Sequence, residues 1–224
     1  PSSAASDVYK RQDMTWPGDF HSSDERLNRI FAMCKLSHQV GTQETIMDCP
    51  SREQAAYVGD GMPVGKWIAQ LSGDFRHWKY LVREQWRRQS PQGLVRSSIF
   101  SGRVDTLVDY TLIGVMGTRD YLNFSGDTDT VRDVLENCRR AVGYFDGYRD
   151  AAGLCTWARQ SPVDSSWEHT YDPAMPQFPA PERLNLFIDH PGLGWHNQNE
   201  AGIDRRGMNT ALNGFYVPVS YTHL

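Results

Sequence analysis

The chain has 224 residues, 39% of them hydrophobic and 22% charged, which is enough for one sizeable domain or part of a larger one. A formal net charge of -4 and an isoelectric point near 6.0 give no support to a nucleic-acid surface. No apolar run approaches the roughly eighteen residues that a membrane-spanning helix needs. Four cysteines, at 34, 49, 138 and 155, form no CxxC pair and have no histidine at zinc-finger spacing, so neither a metal centre nor a disulfide framework is expected. Aromatic residues make up 12% of the chain, a surplus that fills cores and also lines carbohydrate sites, where sugar faces lie on rings.

Residues 1–12, P-S-S-A-A-S-D-V-Y-K-R-Q, and 218–224, P-V-S-Y-T-H-L, carry neither a helical nor a strand pattern. Both read as translated adapter sequence of the kind found at the ends of metagenomic gene fragments, so the organised part is expected to be residues 13–217. Ser22 with Glu25 three residues later forms a predicted capping box. It opens a helix over 24–40, with Leu27, Ile30, Phe31 and Cys34 at helical spacing. A second helix is expected over 51–71, with Trp67, Ile68 and Leu71 on its apolar side and a kink near Gly59, Gly61 and Pro63. A Ser72-Gly73-Asp74 turn leads into a third over 75–88, through Phe75, Trp78, Leu81, Val82 and Trp86. The spacing predicts further helices over 105–124 and 128–148, joined by Ser125-Gly126-Asp127.

The second Ser-Gly-Asp turn lies 53 residues after the first, so a helical hairpin recurs with a period near fifty. Nothing alternates at period two, and the domain is expected to be all-α. Stacked hairpins build a bundle, a solenoid or a closed ring, and period and loop length do not choose among these. Residues 150–206 contain six prolines and scattered aromatics, a composition expected of an ordered, functional loop. A sixth helix is predicted over 207–217.

The most chemically loaded stretch is 42–61, which gathers Glu44, Asp48, Glu53 and Asp60 with Arg52 and Tyr57. Pro50 biases Cys49 to extended or turn geometry, and a helix starting near Ser51 would put Glu53, Tyr57 and Asp60 on one face. An inward carboxylate face beside an aromatic shelf suits sugar cleavage. The alternative is plain capping by Asp48 and Ser51, with the rest facing water.

Three motifs in one order carry a family resemblance. They are D-C-P-S-R-E-Q-A-A-Y-V-G-D at 48–60, V-D-Y-T-L with R-D-Y-L-N-F-S-G-D within 108–127, and N-L-F-I-D-H with D-R-R-G-M-N-T-A-L-N-G-F-Y within 185–216. Together they resemble the catalytic domain of bacterial alpha-L-rhamnosidases, glycoside hydrolase family 78. The resemblance covers about residues 20–217. It implies a partial (α/α)6 barrel, roughly the first half of a six-hairpin glycosidase, and inverting hydrolysis of terminal alpha-L-rhamnosides without a cofactor. It implies Glu53 as general acid, with Asp48, Arg52 and Asp60 binding the sugar. Tyr57 stands where the family typically has a Trp against the sugar, and His190 where a Trp follows the equivalent of Asp189.

The general base implied by the family belongs to a later helix, beyond this chain. The implied partners are a rhamnose-containing oligosaccharide, polysaccharide or glycoside and the missing second half of the same barrel. As half a domain, the chain is expected to leave an apolar face uncovered and to be poorly soluble and inactive alone.

Other residues carry two readings each. Asp189 is a second polar contact at the mouth of the site or a turn acid before Pro191. Trp157, Trp167 and Trp195 line subsites or pin the loop. His190, His196 and Glu200 match no standard metal-ligand spacing. Tyr110 and Trp67 are assigned to the core, and Asp109 is a candidate for reaching the cavity. Glu53 as an acid is expected to have a raised pKa through like charge from Asp48 and Asp60 and through desolvation, with Arg52 opposing. Two further functions stand beside the first: a related helical-barrel glycosidase with another sugar specificity, and a non-catalytic helical carbohydrate-binding or repeat domain.

Overall fold

A computed structural model describes residues 14–99, 106–155, 186–187 and 210–220. Six helices are described: α1 Glu25–Gly41, α2 Val58–Ser72, α3 Arg76–Arg87, α4 Val108–Ser125, α5 Thr128–Asp146 and α6 Thr210–Ser220. A two-residue strand, β1 Thr106–Leu107, pairs in parallel with β2 Leu186–Phe187 immediately before α4. Among the described residues the fold is all-α apart from this short ladder and three isolated bridges. Helix α4 lies between α2 and α6, while α3 and α5 pack behind it and against each other. Alternate helices therefore make an inner layer (α2, α4, α6) and an outer one (α1, α3, α5), the arrangement of part of an (α/α) barrel.

The hairpin repeat has a physical cause in the Ser-Gly-Asp turns. Gly73 and Gly126 both adopt left-handed backbone, φ 72° and 68°, and their N–H groups donate to Ala69 O and Leu122 O. Ser72 and Ser125 hydroxyls donate back to Ile68 O and Tyr121 O, and accept from the N–H of Asp74 and Asp127. Asp74 and Asp127 then accept from the backbone N–H of Arg76 and Thr130 at 2.8 and 3.1 Å. One tripeptide thus ends one helix and starts the next.

Between the layers, α3 buries Trp78, Leu81, Val82, Gln85 and Trp86, a stripe at i, i+3, i+4, i+7 and i+8. Trp86 Nε1 donates to Thr118 Oγ1 of α4 at 2.9 Å, so its bulk and its one polar atom are both satisfied. Removing such a buried indole costs about 3–5 kcal/mol. Asn137 of α5 donates to Trp86 O at 3.1 Å, tying the two outer helices together. Helix α6 joins α5 through Tyr216 Oη, which donates to Asp146 at 2.6 Å.

Four expectations are corrected. The cap of α1 is Asp24, which accepts from Arg26 N at 2.8 Å, rather than Ser22 paired with Glu25; Ser22 instead accepts from Asp24 N and holds Asn28. Helix α2 starts at Val58 and not near Ser51, and it continues through Pro63. Trp67 is 55% exposed rather than core, because one residue is about 100° of helix and the buried stripe runs through Gly65, Ile68 and Ala69. Helix α6 extends to Ser220 with Val219 buried, three residues past the boundary expected at 217. On α1 no residue is buried, and Leu27, Ile30, Met33 and Leu36 form an exposed apolar ridge, Met33 being 67% exposed.

Asp127 couples the two hairpins. It accepts from Tyr121 Oη at 2.8 Å, from Thr130 Oγ1 at 2.8 Å, and from Lys79 Nζ of α3 at 2.9 Å. Lys79 first, then the Thr130 N–H, hold its carboxyl below the usual carboxylate range. A depressed carboxyl stabilises the fold above its unfolded pKa of about 3.9, and that contribution is lost as pH falls through the folded value. Asp127→Asn is therefore expected to melt below wild type at pH 7, with the gap closing as pH falls below about 4. Thermal melts of both proteins across pH 2–7 check this; a gap independent of pH would count against the coupling.

Candidate functional site

The acid-rich stretch begins with a tight turn after α1. Met47 N donates to Gly41 O at 2.9 Å, and Ile46 is fully buried, which anchors the chain. Asp48 then closes a loop on Ala55: its N–H donates to Ala55 O at 3.0 Å, and its Oδ1 accepts Ala55 N at 2.9 Å. At the tip Gln54 has φ 50°, left-handed backbone that costs a non-glycine residue about 1–2 kcal/mol, and its side-chain amide donates to Pro50 O at 2.9 Å. After it the chain runs non-helical through Tyr57, and Ile99 N donates to Ala56 O while Val58 N donates to Ser97 O. This pairing keeps 51–57 out of α2.

Glu53, Tyr57 and Asp60 consequently do not share a helical face. Glu53 stands on the loop, Tyr57 is the N-cap residue of α2, and Asp60 lies in its first turn. Asp60 accepts from Tyr110 Oη at 3.3 Å, and the Tyr57 and Tyr110 rings meet edge-on at 6.4 Å. Tyr110 is buried, as its core assignment expected, and it also belongs to the polar end of the inner layer. Only its V-D-Y context hinted at this, since burial and a hydroxyl reaching a carboxylate share one residue type. Asp109, also in the first turn of α4, is buried. Asp189, His190 and Trp195, with Trp157, Trp167, His196 and Glu200, lie outside the described residues.

Arg52 grips Glu53 with two bonds, Nη2 to Oε1 at 2.9 Å and Nε to Oε2 at 3.3 Å. The Arg52 side chain is 79% exposed against 19% for Glu53. The Cys49 thiol donates to Glu53 Oε2 at 3.0 Å. Contrary to the raised value expected, Arg52 first and Cys49 second hold the Glu53 carboxyl down at about 2. The like charge of Asp48 and Asp60 does not prevail, because two directed donors at contact distance outweigh more distant repulsion in solvent. Polar atoms of Asp48, Cys49 and Glu53 lie within 4.8 Å of one another, a donor set of two carboxylates and a thiol; Arg52 and the thiol proton already engage Glu53 there.

The chain belongs to the bacterial alpha-L-rhamnosidase six-hairpin glycosidase domain family, which matches residues 16–172, more than half of its length. A family 78 rhamnosidase of Bacillus sp. GL1 is similar in fold, with a TM-score of 0.68 and 18% identity over 92% of this chain and 18% of that one. A rhamnosidase from Klebsiella oxytoca with rhamnose bound gives a TM-score of 0.56 and 22% identity over 63% of this chain and 28% of its own. The chain thus spans less than a third of either solved protein. No curated protein matches it.

Removing the guanidinium in Arg52→Ala is expected to raise the Glu53 pKa from about 2 toward the ordinary value near 4.5. Carboxyl-carbon NMR titration, with Glu53 assigned by its loss in Glu53→Gln, reads the shift. An unmoved midpoint would show that the pair does not persist in solution.

Proposed function

We propose that this chain carries the acid side of an inverting glycoside hydrolase site for terminal alpha-L-rhamnosides. Glu53 is the general acid. Asp48, Arg52, Tyr57 and Asp60 bind the sugar, Asp189, His190 and Trp195 complete its surroundings, and the general base comes from outside the chain. The observation that carries this reading is the pairing of a largely covered carboxylate, Glu53, with an exposed and displaceable cation, Arg52, inside the family-matched region.

A general acid must hold a proton when substrate is bound. In the free site Glu53 is ionised. A sugar that draws Arg52 onto its hydroxyls removes the largest cause of the low pKa, and its bulk desolvates the carboxyl; both changes raise the pKa. The protonated Glu53 then donates to the glycosidic oxygen as the bond to the anomeric carbon breaks. Water attacks from the opposite face and gives its proton to the base. Inverting sites separate the two carboxyls by about 6.5–9.5 Å to admit that water. Asp48 lies within 4.8 Å of Glu53 and is bonded into the loop neck, which supports a binding role and a base supplied elsewhere. The exposed ridge on α1 supports the companion proposal that further hairpins of the same barrel cover it.

The test compares wild type and Glu53→Gln, in the full-length protein that contains this chain, on p-nitrophenyl and methyl alpha-L-rhamnosides. kcat is expected to fall by about 10²–10⁴ on the methyl glycoside, and by less on the nitrophenyl one, whose leaving group needs little protonation. Proton NMR of the first-formed product is expected to show the inverted anomer. Turnover of a different pyranoside alone would move the specificity, and binding without any turnover would favour a carbohydrate-binding domain.

A further inference from the structure

Two donors hold Glu53, and they differ in what they can do. Arg52 reaches it through a long, exposed side chain. Cys49 has one rotatable bond and is half-buried between Asp48, fixed at the loop neck, and Pro50. We propose that the Cys49 thiol is the positioning group for Glu53: it fixes Oε2, so that Oε1 is the oxygen Arg52 releases and the one that carries the proton to the leaving group. This rests on reading Glu53 as the acid.

The distances support the division. Arg52 makes its shorter bond, 2.9 Å, to Oε1, while Sγ stands 3.0 Å from Oε2, which Arg52 meets only at 3.3 Å. When Arg52 departs, Oε2 keeps a partner and Oε1 loses its own. Without the thiol the carboxyl would turn freely about its last torsion, a two-fold and shallow one. A thiol is also a weak donor. It orients the group without pinning the negative charge as a guanidinium does, which suits a carboxyl that must become protonated. The charged and titratable groups on the loop beside Glu53 are Arg52, Cys49 and Asp48; the helix that follows brings Asp60, which accepts from Tyr110.

The test uses Cys49→Ala and Cys49→Ser. In an Arg52→Ala background, carboxyl-carbon NMR titration is expected to show a higher Glu53 midpoint with Ala at 49, and an equal or lower one with Ser, whose hydroxyl still donates. In the full-length protein with Arg52 intact, Cys49→Ala is expected to lower kcat by about tenfold with KM within about twofold, since misdirection costs the chemical step rather than binding. The alkaline limb of its pH profile moves to higher pH, because the acid keeps its proton longer. Cys49→Ser is expected to restore kcat to within about threefold. A packing role alone would give neither the limb shift nor the rescue. Equal midpoints with Cys and Ala at 49 would overturn the inference and leave the glycosidase reading untouched. Full turnover by Glu53→Gln would remove that reading, and the positioning role with it.

Discussion

The constraint on which the rest depends is the close approach of α2 and α4. Gly59 lies against the Tyr110 ring and Gly117 against the Met62 side chain, so that a β-carbon at either glycine would collide. With no side chain at these points, each inner helix lets a side chain of the other lie directly against its backbone. That contact brings the starts of α2 and α4 together, sets Tyr110 Oη on Asp60, and lets 97–99 run beside 56–58. The acid-rich loop is then held between a buried Ile46 on one side and buried Ala55 and Ala56 on the other. Packing fixes its ends, while its tip exposes Arg52 and Gln54 and keeps Glu53 partly covered between them.

Two carboxylates with depressed pKa values show how the same chemistry serves different ends. Asp127 is bonded to Lys79, Tyr121 and Thr130, partners drawn from α3, α4 and its own helix, so nothing can leave without loosening two hairpins. Glu53 has one long exposed partner and one short one on its own loop. The first arrangement holds a fold together. The second stores a charge that a ligand can change by taking one side chain away.

The buried cysteines complete the contrast. Desolvation pushes the Cys138 thiol up to about 12, which leaves it an inert packing group beside Thr118. Cys155 is enclosed as well, its backbone N–H and C=O both bonded to the Asn213 side chain of α6 at 2.8 and 3.1 Å. Cys49, by contrast, is half-buried on the acid-rich loop and donates to the Glu53 carboxylate.

The helices were legible because their cause is local. Periodic apolar residues such as Trp78, Leu81, Val82 and Trp86 specify a buried stripe, and Ser-Gly-Asp specifies a left-handed stop followed by a cap. The motif at 48–60 and its carboxylates could be named for the same reason. What the sequence could not decide was how 51–57 would fold. Local propensity favoured extending α2 back to Ser51, but Asp48 closes on Ala55, and the partners of Ala56 and Val58 lie about forty residues away at 97–99. The position of Glu53, its low pKa, the Cys49 contact and the reach of Tyr110 to Asp60 all follow from those long-range bonds. Sequence determined which groups were available and which segments would coil; only tertiary pairing decided which groups would meet, because a carboxylate's partners are set by distance in space and not along the chain.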